Sequence, residues 1–106
     1  MVEIAPSMLG ANFGEMKKEA MLVAPYSSYL HMDVMDGHFV PNLTMGPDLV
    51  KALKGIADID VHLMVSNPTD FIQDFSDVGA DIISVHVEAN NPGKAIKLIK
   101  ELNIKA

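Results

Sequence analysis

Histidine and aspartate side chains recur at two-residue spacing in apolar segments of this chain, a pattern that favours metal binding. Successive side chains of a strand point to opposite faces, so His31, Asp33 and Met35 share one face of a predicted strand. Two later segments place His62 and His86 on the polar face of their own strands. Imidazole and carboxylate groups are ligands for divalent zinc, iron or manganese. We therefore interpret His31, Asp33 and His62 as a candidate metal site.

Purely structural interpretations of the same residues are also possible. A single histidine on a strand is more often a core residue satisfied by neighbouring groups, and only the recurrence on three adjacent strands favours ligation. Met35 and Met64 flank the candidate ligands. They fit either ordinary packing or a water-poor wall over a reacting centre. Ser7 follows the first predicted strand and either donates a hydrogen bond to a ligand or simply ends the strand.

Four strand-then-helix units would position these side chains. Apolar alternation predicts strands over residues 2–5, 29–35, 59–65 and 82–87, and the start of a fifth strand at 104–106. Helical patterns follow each of the four strands. This alternation indicates parallel βα units and the α/β class.

Local signals give the helix boundaries. Asn12 with Glu15 is a capping-box pattern, and Phe13 is expected among the buried positions of the first helix. Asn67 is expected to cap the third helix. Gly55 and Gly79 are the predicted stop signals of the second and third helices. Five aspartates are predicted to be solvated: Asp58, Asp60, Asp74, Asp77 and Asp81.

The composition excludes several classes of function. The 106 residues include 14 Asp and Glu against 8 basic residues, all lysine, for a formal charge of −6. An acidic chain without arginine is not expected to bind nucleic acid. The absence of cysteine excludes disulfides and thiolate ligands. No apolar run approaches the roughly 20 residues that span a bilayer, and we expect a cytoplasmic protein without a membrane partner.

The motifs resemble those of the ribulose-phosphate 3-epimerase family. The resemblance is most specific in HMDVMDGHFVPN at residues 31–42. It extends through residues 5–9, 61–65, 67–68, 79–81 and 84–88. Allulose-6-phosphate 3-epimerase shares most of these motifs, so both activities remain open.

The resemblance implies the fold and the reaction. It implies a TIM (βα)8 barrel, with residues 1–106 as a single partial domain that forms the N-terminal half in four βα units. The implied reaction interconverts D-ribulose 5-phosphate and D-xylulose 5-phosphate, within the pentose phosphate pathway of carbohydrate metabolism. The isomerase would use metal-assisted proton transfer between two bases through an enediolate.

The resemblance also implies roles for individual residues. His31, Asp33 and His62 would bind a divalent metal ion, zinc or iron in most members, with manganese or cobalt as further candidates. Asp33 would be one of two catalytic acid/base aspartates. The substrate, a small ketose phosphate, would contact Ser7, His31, His62, Met35 and Met64. His86 would support the site.

The second aspartate and the phosphate site belong to later units of the family's barrel. We therefore expect this chain to be a fragment with little activity by itself. A homo-oligomer is expected, because open strand edges favour pairing with another copy. The alternative is a non-catalytic half-barrel that binds metal or self-assembles. A decarboxylase of the orotidine phosphate type is disfavoured, because no lysine lies within the strand patterns.

Overall fold

A computed structural model describes all 106 residues and shows one parallel sheet with helices packed on one face. The strands β1 (Tyr29–Met35), β2 (Asp58–Met64) and β3 (Ile82–Val85) lie in the order β1-β2-β3. The helices are α1 (Met16–Val23), α2 (Pro47–Leu53), α3 (Ile72–Asp77) and α4 (Pro92–Glu101). Short 3-10 helices cover Met8–Gly10, Phe13–Glu15, Ala24–Tyr26 and Pro68–Asp70. The parallel strands, each followed by a helix, confirm the α/β class.

One face of each strand forms the hydrophobic core. Alternate positions point toward the helices, and these side chains are almost completely buried: Leu30, Met32, Val34, Ile59, Val61, Leu63 and Ile83. Helix residues complete the cluster: Ala20, Val50, Leu53, Ile72, Phe75 and Ile99. Because side chains alternate along a strand, burying this face directs the intervening polar residues to the opposite face of the sheet.

The first predicted strand, residues 2–5, is wrong as a regular strand. The segment runs beside β1: the Ser28 N–H donates to the Ile4 carbonyl at 2.8 Å, and the His31 N–H donates to the Pro6 carbonyl at 2.9 Å. Ser7 forms a single parallel bridge with His31. The segment has a neighbouring strand, β1, on one side only. Because Pro6 has no N–H to donate to that strand, no regular ladder of hydrogen bonds forms.

The other end of the sheet also differs from the prediction. β3 ends at Val85, not at residue 87, because the chain turns where the Ala89 N–H donates to the His86 carbonyl at 3.1 Å. The predicted fifth strand is a single parallel bridge between Ile82 and Lys105.

The helix signals are confirmed in part. Asn12 caps the 3-10 turn before α1 by accepting the Gly14 N–H at 2.9 Å, but Glu19 rather than Glu15 contacts the Asn12 N–H, at 3.3 Å. Phe13 is 45% exposed, because it lies in that 3-10 turn and not in α1 itself.

The third helix begins without the predicted cap. The Asn67 side chain makes no capping bond and instead accepts a hydrogen bond from the Asn90 side chain at 2.9 Å. The stops at Gly55 and Gly79 are confirmed by φ angles of 96° and 94°, in the region that favours glycine.

Five aspartates were predicted to be solvated, and two of them are bonded to other groups instead. Asp81 is the first, and Asp60 is described with the candidate site. The Asp81 carboxylate accepts the Ile59 N–H and pairs with the Lys54 ammonium, both at 2.8 Å. It therefore ties the start of β3 to the start of β2. None of the helices combines the length and apolarity needed to cross a lipid bilayer.

Candidate functional site

The register between β1 and β2 places acids opposite bases on the polar face of the sheet. His31 is the Cα partner of Asp60, and Asp33 is the partner of His62. Strands lie about 4.8 Å apart, so side chains paired in this way on one face are within contact distance. Two successive imidazole–carboxylate pairs therefore face each other across the two strands.

Asp33 lies at the centre of this arrangement. Its Oδ1 atom is 2.8 Å from Nδ1 of His62 and 3.2 Å from Nε2 of His31. Its Oδ2 atom accepts a hydrogen bond from the Ser7 hydroxyl at 2.5 Å. Burial acts to raise the pKa of Asp33, but the hydrogen bonds from Ser7 and His62 and the charges of the two imidazoles hold that pKa below its ordinary value. The carboxylate is therefore ionised at neutral pH.

Each of the two candidate ligand histidines has a partner on its outer nitrogen. Nδ1 of His31 is 2.7 Å from Oδ2 of Asp60, and Nε2 of His62 is 2.6 Å from Nε2 of His86. A carboxylate can only accept a hydrogen bond, so Nδ1 of His31 carries a proton. In the neutral ring, Nε2 then presents its lone pair toward Asp33.

The donor set fits a divalent metal ion. His31, Asp33 and His62 each offer one ligand atom, and these atoms lie within 4.8 Å of one another. With the proton on Nδ1, Nε2 of His31 and Oδ1 of Asp33 turn lone pairs toward each other at 3.2 Å. A cation bound between them would relieve this repulsion, and Nδ1 of His62 would release the proton that it donates to Asp33 on binding the ion. Two imidazoles and one carboxylate suit zinc or iron.

Other predicted residues surround this set. Met35 and Met64 are partners in the next step of the ladder, half-buried on the same face. His86 stacks on His62 with ring centroids 4.9 Å apart, and its other face meets Phe39 at 5.2 Å. The structure thus brings His86 into contact with the site.

Asp60 is a site residue that the sequence reasoning missed, and its predicted solvation is wrong. Its side chain is 18% exposed and bound to His31. The signal was present in the sequence: the spacing of His31 and Asp33 on one strand mirrors that of Asp60 and His62 on the next. The mirrored spacing produces contacts only because the β1–β2 register places His31 opposite Asp60 and Asp33 opposite His62.

A second missed residue organises the loop after β1. Asp36 Oδ1 accepts the N–H groups of His38 and Phe39 at 2.9 and 2.8 Å, and its Oδ2 accepts the N–H of Ser66 at 2.9 Å. Burial acts to raise the pKa of Asp36, but these backbone donors and the nearby His38 lower it below the ordinary value. Asp36 therefore fastens this loop to the carboxyl end of β2.

Thr44 closes the same loop onto β1. Its hydroxyl donates to the Asp33 carbonyl at 2.6 Å and accepts the Met35 N–H at 3.0 Å. These two hydrogen bonds hold the end of β1 against the loop that follows it.

Comparison with known proteins identifies the family. The sequence model described as the ribulose-phosphate 3 epimerase family matches residues 3–106. The chain belongs to this family. It is 46% identical to the ribulose-phosphate 3-epimerase of Bacillus subtilis (strain 168) over 110 residues, which cover 100% of this chain and 51% of that protein.

Other epimerases show similar coverage. The Synechocystis sp. ribulose-phosphate 3-epimerase is 42% identical over 99% of this chain and 48% of its own length. The Escherichia coli (strain K12) enzyme is 45% identical over 97% of this chain and 48% of its own length. The chain spans about half the length of the curated relatives it matches. This coverage and the parallel sheet fit the predicted half of a (βα)8 barrel.

Proposed function

We propose that this chain carries the metal-binding half of a ribulose-phosphate 3-epimerase site. The proposal rests on family membership and on one observation, the convergence of His31, Asp33 and His62 within 4.8 Å. Residues 1–106 would act as one partial domain. The substrate would be D-ribulose 5-phosphate, and the product D-xylulose 5-phosphate.

The reaction removes a proton from the carbon beside a carbonyl and returns one to the opposite face. Asp33 is the proton acceptor on one face, because it is central, 13% exposed and ionised. The Ser7 hydroxyl fixes the orientation of Asp33 by occupying Oδ2. A divalent ion held by His31, Asp33 and His62 would supply electrostatic stabilisation for the negative charge that develops on the substrate oxygens.

The remaining site residues shape the environment of this proton transfer. Met35 and Met64 lie beside the acid–base pairs and would exclude water from the reacting carbon. Ser7, His31 and His62 would contact the oxygens of the bound sugar. We expect low turnover from the 106-residue chain, because interconverting both epimers requires a proton acceptor on each face and Asp33 supplies only one.

The test is an epimerase assay with zinc or iron added, and with manganese and cobalt as further arms. Ribulose 5-phosphate and allulose 6-phosphate are offered separately, and the preferred substrate decides between the two activities. Asp33→Asn should abolish any turnover and weaken metal binding. Asp58→Asn, an exposed aspartate without a side-chain hydrogen bond, should change neither.

Assembly and metal binding complete the test. The polar face is not covered by helices, and His31 and His62 remain 26% and 25% exposed there, so we propose that copies of the chain associate. Light scattering that shows only a monomer would exclude the homo-oligomer. Metal binding without turnover supports the non-catalytic half-barrel, and a chain that neither binds metal nor turns over either sugar refutes the proposed site.

A further inference from the structure

Asp60, on β2, contacts the candidate metal-ligand set from outside it. This residue lies directly across from His31 in the β1–β2 register. Its Oδ2 atom is 2.7 Å from Nδ1 of His31, and its side chain is 18% exposed. His31 is the only residue to which the Asp60 side chain is hydrogen-bonded. The carboxylate therefore has one observable task in this structure, which is to hold that ring.

We propose that Asp60 is a positioning residue that fixes the tautomer and orientation of His31, so that Nε2 is available as a metal ligand. The inference rests on the proposed metal site and deepens it. A carboxylate behind a ligand histidine sets which nitrogen carries the proton and raises the basicity of the other.

The two distances at His31 distinguish the tautomers. The 2.7 Å separation from Asp60 is typical of a short, charge-assisted hydrogen bond, whereas the 3.2 Å separation from Asp33 is at the long limit for N–H donation. If the proton were on Nε2, the Nδ1 lone pair would face a carboxylate lone pair at 2.7 Å. The geometry therefore assigns the proton to Nδ1.

His62 provides an internal contrast. Its outer nitrogen faces the imidazole of His86 at 2.6 Å and no carboxylate, and the nearest acid beyond, Glu88, is 3.6 Å from His86 and largely exposed. Asp60 thus acts on one ligand histidine and not on the other. Removing it should change the ring of His31 and leave the tautomer of His62 unchanged.

The experiment compares the wild-type chain with Asp60→Leu and Asp60→Ala, because neither replacement has an oxygen that can accept the proton on Nδ1 of His31. Zn²⁺ affinity is measured by competition with a chromophoric chelator, and the tautomers are read from ring-nitrogen NMR of the metal-free chain in mildly alkaline solution, where an imidazole is neutral. We expect Zn²⁺ binding to weaken by about 10- to 100-fold, the usual effect of removing such a partner. We also expect the proton of His31 to leave Nδ1.

Asp58→Asn is the matched control. It removes the same charge from the same strand, two residues earlier, where the side chain is exposed and makes no hydrogen bond. It should leave both the affinity and the tautomer unchanged. Asp60→Leu preserves side-chain size without an acceptor oxygen, so it decides the question if Asp60→Ala fails to fold.

The outcomes separate this inference from the proposed function. Wild-type Zn²⁺ binding with unchanged affinity in folded Asp60→Leu or Asp60→Ala overturns the role of Asp60 and leaves the metal site standing. A wild-type chain with the proton on Nδ1 of His31 but without Zn²⁺ binding refutes the metal site while the positioning of the ring stands. Equal weakening by Asp58→Asn would mean that charge alone, not the contact with His31, sets the affinity.

Discussion

Replacing Asp36 with asparagine should loosen the loop after β1 by breaking one of its three backbone contacts. The carboxylate accepts N–H groups from His38, Phe39 and Ser66, each at 2.8–2.9 Å. An asparagine oxygen can keep the pair on Oδ1. Its NH₂ group then replaces Oδ2 and points a donor at the donor of Ser66, so that this bond is lost.

The magnitude follows from the loss of one hydrogen bond to a charged acceptor. Such bonds contribute about 1.5–3 kcal/mol. Asp36 is half-buried, so solvent screens it and the low end of the range applies. We expect a loss of about 1.5 kcal/mol of unfolding free energy, which is roughly a tenfold change in the folded-to-unfolded ratio.

The effect should depend on pH in a defined direction. The pKa of Asp36 is lower in the folded chain than its ordinary value of 3.8. A lowered pKa stabilises the fold fully above the unfolded-state value, and this contribution disappears as the pH falls through the folded-state value. The difference between wild type and Asp36→Asn should therefore be constant near neutral pH and shrink below pH 3.8.

Urea unfolding followed by circular dichroism measures both quantities. Asp58→Asn is the control for the loss of one negative charge, because its side chain is exposed and makes no hydrogen bond. A destabilisation equal to that of the control at neutral pH would refute the three-contact interpretation. A difference that persists unchanged in strong acid would also contradict it, since a protonated Asp36 should behave like asparagine.

Substitutions at three further positions test the packing and hydrogen bonds of the fold by the same unfolding measurement. Thr44→Val should cost about 1–3 kcal/mol, because the Met35 N–H loses its acceptor, whereas Thr44→Ser should retain most of the stability. Leu30→Ala, at a position that is 0% exposed, should cost about 2–5 kcal/mol; a loss under 1 kcal/mol would contradict tight packing there. Gly79→Ala should destabilise by at least 1 kcal/mol, because φ is 94° and the added Cβ would lie 3.0 Å from Cε of Lys54.

The sequence by itself determined the polar face and which candidate ligands lie on it. Period-two alternation put His31, Asp33 and Met35 on one face and the apolar residues on the other, and the structure has this arrangement. The α/β class followed from the same alternation. These properties are local, because the pleat of a strand fixes side-chain direction whatever the strand pairs with.

The local sequence did not determine whether the segments at the edges of the sheet form regular strands. Residues 2–5 have the composition of a strand, but they pair on one side only, with the start of β1, and the segment stays irregular. Strand formation requires a ladder, and a ladder depends on which partner lies on each side. Composition cannot supply that information.

Only the tertiary structure decided which acid faces which base. The pairing of His31 with Asp60 converts an aspartate that looked solvated into the hydrogen-bond partner of a candidate ligand histidine. A shift of two residues in the register would keep every side chain on its face and yet separate the two groups. Register is set by the packing of the opposite, apolar face against the helices, so the chemistry of the polar face depends on contacts made through the sheet.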